Sequence, residues 1–261
     1  MNSRSSIPVP PLPVRRVGLA RPFAWLKLGC LDLLAAPGAS LLHGLLIAAG
    51  GLAIAALTQR ASALLPGAVS GFLLVGPILA TGLYELSRRR DAGEVPWLAH
   101  AVEAWRRGTR PLVLLGLLLA AAATAWVFAS ALLFRYVVAL RFAGVNDFLR
   151  YAVSGQGTAL FWLWALAGGL GAALVFALTA VSAPLLLDRA IGLRRALLTS
   201  VRAVGDNPLP LALWAALIMA LALLSLATAM IGFVVTVPVI GHATWHAYRE
   251  LVDADALLPR T

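Results

Sequence analysis

The chain has 261 residues, 61% of them hydrophobic and only 12% charged, with a net charge of +10 and a mean hydropathy of +0.89. A soluble domain ordinarily carries roughly 25% charged residues, so a water-facing globule is excluded and a lipid-facing surface is expected. The positive charge does not argue for nucleic acid, because the sequence holds no polar domain to carry such a site.

The chain opens on Pro8, Pro10, Pro11 and Pro13 among serines and arginines, a composition that reads over 1–18 as a disordered, proline-rich cytoplasmic tail. A cleaved signal peptide is not expected, since the first apolar core begins only near residue 39. A membrane span needs about 20 mostly apolar residues, and six segments qualify in order: 39–58, 63–86, 111–133, 159–187, 209–228 and 230–248. The last two form one uncharged run from Leu209 to Gly241, so a tight turn is predicted near Ala229–Gly232. A short polar tail, 253–261, follows.

The linkers alternate between arginine-rich and arginine-poor. Seventeen Lys and Arg fall in the N-terminal segment, the 2–3 linker, the 4–5 linker and the C-terminal tail, against four (Arg60, Arg135, Arg141, Arg150) on the other side. Basic residues accumulate on the cytoplasmic side of membrane proteins, so both termini are predicted to be cytoplasmic, in a bacterial inner membrane.

An internal repeat is also visible. Pro77, Pro184 and Pro238 each sit in the basic-side half of an even-numbered span and are predicted to be equivalent structural kinks. Spans 1, 3 and 5 are entered through Pro37, Pro111 and Pro208, where a proline costs little. Each follows an amphipathic stretch: 22–36, less regular, then 96–107, with Trp97, Leu98, Ala101, Val102 and Trp105 on one face, and 189–206, with Leu193, Leu197, Val201 and Val204 opposite Arg195, Thr199, Arg202 and Asp206. The expected fold is therefore all-α: three helical hairpins, about 19–90, 95–189 and 190–250, each led by an interfacial helix. Within them Arg88, Arg89, Arg106, Arg107, Arg194 and Arg195 are candidate contacts to anionic lipid headgroups or to a partner. The longer outer segment 134–158 is a second place for a partner contact.

Chemistry is hard to find. None of the eleven acids falls at mid-membrane, where a proton or cation relay would need one. His242 and His246 share a helical face and His43 would lie at similar depth, a spacing that could hold a metal or a haem, but interfacial polar residues are the simpler reading. Nucleophile and phosphate-loop signatures are missing, and one cysteine, Cys30, allows no internal disulfide. Ser40, Ser130, Ser182 and Ser225 read as helix–helix hydrogen bonders, and the ridges Gly44/Ala48, Gly51/Ala55 and 167–173 as close-packing surfaces.

The stretches Phe72–Arg90 (FLLVGPILATGLYELSRRR), Ser182–Asp188 and Pro238–Leu251 (PVIGHATWHAYREL) resemble a bacterial multi-pass membrane protein family whose defining domain has no assigned function, over roughly residues 20–252. Some members are labelled as a cytochrome c oxidase subunit. Four histidines are too few for the catalytic haem–copper subunit, so the label implies at most an accessory role. The expected function is a non-enzymatic accessory, assembly or scaffold component of a membrane complex, with no cofactor and with lipid or membrane-protein partners. A small-solute or lipid transporter or channel, and then a haem-binding redox subunit, are the alternatives.

Overall fold

The computed structural model describes residues 10–58, 63–106, 108–135, 145–154, 159–255 and 257–259; Arg107 lies outside them. The described residues form thirteen helices and no strand. They are α1 (Arg21–Ala35), α2 (Pro37–Thr58), α3 (Leu65–Leu74), α4 (Gly76–Leu79), α5 (Thr81–Asp91), α6 (Leu98–Arg106), α7 (Arg110–Leu133), α8 (Val145–Val153), α9 (Ala159–Thr179), α10 (Ser182–Asp188), α11 (Leu193–Asp206), α12 (Pro208–Ala227) and α13 (Phe233–Leu251). Prolines stand in the first turn of α1, α3, α7 and α12, where the missing N–H is one the helix could not have bonded anyway.

Four segments are long and apolar enough to cross a membrane: Pro37–Thr58, Arg110–Leu133, Ala159–Asp188 and Pro208–Ala227. The other two segments read as spans differ for physical reasons. The region 63–86 is broken at Val75 and Ala80 into α3, α4 and α5, of which only Leu65–Leu74 is a continuous apolar helix. In α13 the second half carries His242, His246, Arg249 and Glu250, which lowers its apolarity. The turn expected at Ala229–Gly232 is present and tight, with positive φ at Ala229 and Met230 (50° and 68°).

The three kink prolines occupy unlike backbones. Pro77 lies in the four-residue α4, Pro184 lies in α10 just after the break at Ala180–Val181, and Pro238 sits inside an unbroken α13. Loss of the Pro238 N–H frees the carbonyl of Val234, four residues back. Gly44 of α2 covers that carbonyl so closely that a Cβ there would lie 2.2 Å from the oxygen. Gly29 of α1 meets the Val239 carbonyl in the same way, at 2.5 Å for a built Cβ. Together Gly29, Ala36, Ser40, Gly44, Ala48 and Gly51 form the buried stripe along which α1 and α2 run antiparallel to α13. Small residues let helix backbones approach, which is what drives packing when lipid is as apolar as leucine.

The helix ends gather at two poles. At the basic pole one apolar core joins Trp25, Leu83, Tyr84, Leu185, Leu186, Trp214, Trp245 and Tyr248. At the aromatic pole α8 folds over a second core, with Phe148 and Tyr151 edge-on to Phe161 and with Phe134 edge-on to Trp164. The outer segment 134–158, where it is described, thus spends its aromatic face on the chain itself. Residues 10–18 are likewise docked rather than free. Leu12 is buried, Leu12 N–H donates to Thr199 Oγ1 (3.0 Å), Arg15 N–H to the Leu251 carbonyl (2.8 Å) and Val17 N–H to Asn207 Oδ1 (2.8 Å).

The seam is tested directly. Gly44→Ala gains helix propensity of about 1 kcal/mol, yet overpacking against Val234 is expected to outweigh it by about 1–3 kcal/mol and lower the melting temperature in mild detergent. Gly169→Ala, where an added Cβ meets nothing within 4 Å, should leave melting unchanged or raised.

Candidate functional site

Asp32 is the centre of the most concentrated polar chemistry in the chain. It stands in the last turn of α1, 4% exposed, and faces α13 and α5 at once. Its Oδ2 accepts from Ser87 Oγ (2.5 Å) and from His246 Nε2–H (2.9 Å), while Oδ1 pairs with Arg90. Ser87 Oγ is also 2.8 Å from His242 Nδ1, and His242 Nε2 is 2.9 Å from Ser40 Oγ.

The hydrogens in this chain follow from counting. A carboxylate only accepts, so the single Ser87 hydroxyl hydrogen points to Asp32. Ser87 must then accept from His242 Nδ1–H, which leaves Nε2 as the acceptor for the Ser40 hydroxyl. His242 is thereby neutral, and donors point one way, Ser40 to His242 to Ser87 to Asp32. Burial pushes the Asp32 carboxyl up, but the hydrogen bonds from His246 and Ser87 and the nearby imidazoles outweigh it, holding Asp32 below its ordinary value.

Around this network lies a ring of further pairs. Arg88 makes a bidentate contact with Glu85 (2.7 Å for each bond), and Arg89 bridges Glu85 and Glu94 (both 2.7 Å). Trp245 Nε1–H donates to Asp91 (2.6 Å), Tyr248 Oη–H to Asp188 (2.7 Å) and Trp25 Nε1–H to Glu250 (2.7 Å), which also holds Arg21. His43 donates from Nε2 to the Leu79 carbonyl (2.7 Å). That carbonyl is free because Leu83 N–H, its partner in a continuous helix, bonds Ala80 instead.

The six candidate arginines therefore separate. Arg88 and Arg89 are consumed internally, and Arg195 donates to the Pro10 carbonyl (3.0 Å). Arg106 and Arg194 are exposed and make no ion pair among the described residues; Arg107 lies outside them. Of the four serines, Ser40, Ser130 and Ser225 bond to residues of other helices, His242, Trp164 and Thr236, whereas Ser182 of α10 donates four residues back to the Leu178 carbonyl at the end of α9.

The two amphipathic helices bury small residues and divide their larger ones. Among the described α6 side chains Ala101 and Ala104 are buried and Leu98 and Val102 are exposed, as is Trp97 just before the helix. In α11 Ala196, Thr199, Ser200 and Ala203 are buried and Leu193, Leu197 and Val204 pack against the same core, while Leu198 and Val201 are exposed. Large apolar side chains need no burial in protein where lipid covers them.

Residues 64–188 match the model of the family described as predicted integral membrane protein (DUF2189), a domain of unknown function. The chain is an integral membrane protein. Its several apolar helices fit a multi-pass arrangement. No curated protein and no solved structure matches it. The matched segment includes Glu85, Ser87 and Arg88–Arg90 but not Asp32, Ser40, His242 or His246, so the network joins the matched segment to the helices flanking it in sequence.

Asp32 sets a pH dependence with a definite sign. A carboxyl held below its unfolded value of about 3.9 contributes stability that is complete above that value and lost as pH falls through the lower, folded one. Melting temperature should thus decline below about pH 4. Asp32→Asn removes the charge and one of the two acceptor oxygens from a buried, fully paired carboxylate, should cost about 3–5 kcal/mol, and should flatten this acid limb.

Proposed function

We propose that this membrane protein works without enzymatic chemistry, as an accessory, assembly or scaffold component of a bacterial inner-membrane complex. The observation that carries the reading is how the polar groups are spent. Asp32, Glu85, Asp91, Asp188 and Glu250 are each bound by donors of the same chain, and both His242 nitrogens are engaged. Apart from a few arginines unpaired among the described residues, what remains open is mostly apolar helix surface, such as Leu117, Leu118 and Phe128 on α7 and Leu163, Leu166, Leu170 and Leu174 on α9.

The same layout weighs on the alternatives. A haem iron at His242 would have to displace the Ser40 hydroxyl from Nε2. A transport path through the broken helix would have to pass His43 and Gly82, which pack so tightly that a Cβ on Gly82 would meet the His43 ring at 2.9 Å.

The architecture proposed is six crossings in three hairpins, with α3–α5 as the second and α13 as the sixth, and both termini cytoplasmic. The 17-to-4 distribution of Lys and Arg supports the orientation. Topology reporters fused at residues 60, 145 and 229 should read periplasmic and one at 261 cytoplasmic; a periplasmic 261 or a cytoplasmic 145 contradicts the proposal. For function, the tagged chain extracted in mild detergent should migrate on native gels with a membrane complex. A lone monomer, together with solute uptake by reconstituted vesicles, would favour the transporter.

A further inference from the structure

Helix α6 presents an outward stripe that the chain itself does not cover. Leu98, Val102 and Arg106 follow one another at four-residue spacing, with Trp97 beside them, 66% exposed. Four residues past Arg106, Arg110 opens α7. Neither arginine makes an ion pair among the described residues, although Arg88, Arg89 and Arg90, on the preceding helix, are all paired. On α7, Val113 and Leu117 are exposed as well, on a helix apolar enough to cross the membrane.

We propose that this α6–α7 corner is a docking site for an anionic phospholipid. Trp97, Leu98 and Val102 lie against the acyl chains at the interface, and Arg106 and Arg110 hold the negative headgroup above them. Three features select lipid over a protein partner. The apolar stripe lies on the helix that immediately precedes a segment apolar enough to span the membrane. The unpaired cations are at the end of the helix nearest that span. Tryptophan beside arginine is the residue pair that membrane interfaces favour. The site divides the basic residues by role: Arg88–Arg90 fasten helices, while Arg106 and Arg110 face the headgroups. It stands independently of the accessory role and of which side of the membrane the basic pole occupies.

The test is native mass spectrometry of the full-length protein released from nanodiscs of mixed phosphatidylglycerol and phosphatidylethanolamine. Wild type should retain phosphatidylglycerol preferentially. Arg106→Gln and Arg110→Gln should each reduce that preference about fivefold, the effect of one basic residue near an anionic surface. Arg88→Gln should lower the melting temperature while leaving the preference unchanged. Trp97→Ala should weaken retention of both lipids. Equal retention of the two lipids by wild type, or an unchanged preference in the double Arg106/Arg110 variant, overturns the proposal. So does an unchanged preference accompanied by loss of a co-purifying acidic protein, which would assign the face to a protein partner.

Discussion

Lipid offers a polar group no hydrogen bond, and most of this structure answers to that constraint. At two places where a helix loses its regular bonding a specific neighbour meets the freed carbonyl. The break before Thr81 strands the Leu79 carbonyl, and His43 donates to it. Pro238 strands the Val234 carbonyl, and Gly44 closes over it. Ser225 and Thr236, either side of the tight turn, bond each other at 2.6 Å. The same rule fixes which residues can form the seam. Only glycine, alanine and serine let α1 and α2 approach α13 closely enough to seal its backbone.

Asp32 carries the constraint to the charged groups. It draws Arg90, Ser87 and His246 onto one carboxylate, and through Ser87 it sets the tautomer of His242. Three helices distant in sequence are thus fastened at one point, next to the glycine seam that joins two of them. A buried charge is costly unless fully paired, so such a hub gives orientation and specificity more than net stability. The outer pairs at Glu85, Asp188 and Glu250 repeat the device on neighbouring helices. With its titratable groups spent in this way, the basic pole is built to hold helices in register, and the chain meets its surroundings mainly through apolar faces.

Much of the fold was legible in the sequence, because hydrophobic run length and proline position are local signals. The spans at Pro37–Thr58, Arg110–Leu133, Ala159–Asp188 and Pro208–Ala227 and the turn at Ala229–Gly232 follow from them. The network was not legible. Asp32 and His246 are far apart in sequence, and each reads locally as an interfacial polar residue; the four-residue spacing of His242 and His246 was visible, but not the carboxylate between their helix and α1. The proline repeat misled in detail, since Pro77 and Pro184 accompany helix breaks while Pro238 does not. The apolar stripes of α6 and α11 were legible too: Leu193, Leu197 and Val204 pack against the basic-pole core, while Leu98 and Val102 face outward. Apolar periodicity marks the inner face of a helix bathed in water, and beside a membrane large residues face lipid as well. The docking of residues 10–18 depends on Thr199 and Asn207, partners no local composition reveals.

The central claim is that the polar basic pole is as firmly built as the apolar spans. Hydrogen–deuterium exchange of the full-length protein in nanodiscs measures this most directly. Residues 21–35 of α1 and 242–251 of α13, rich in charge and imidazole, should exchange as slowly as the apolar middle of α2, because the seam and the Asp32 hub must open together. Fast exchange in those two segments beside a protected α2 would contradict the account.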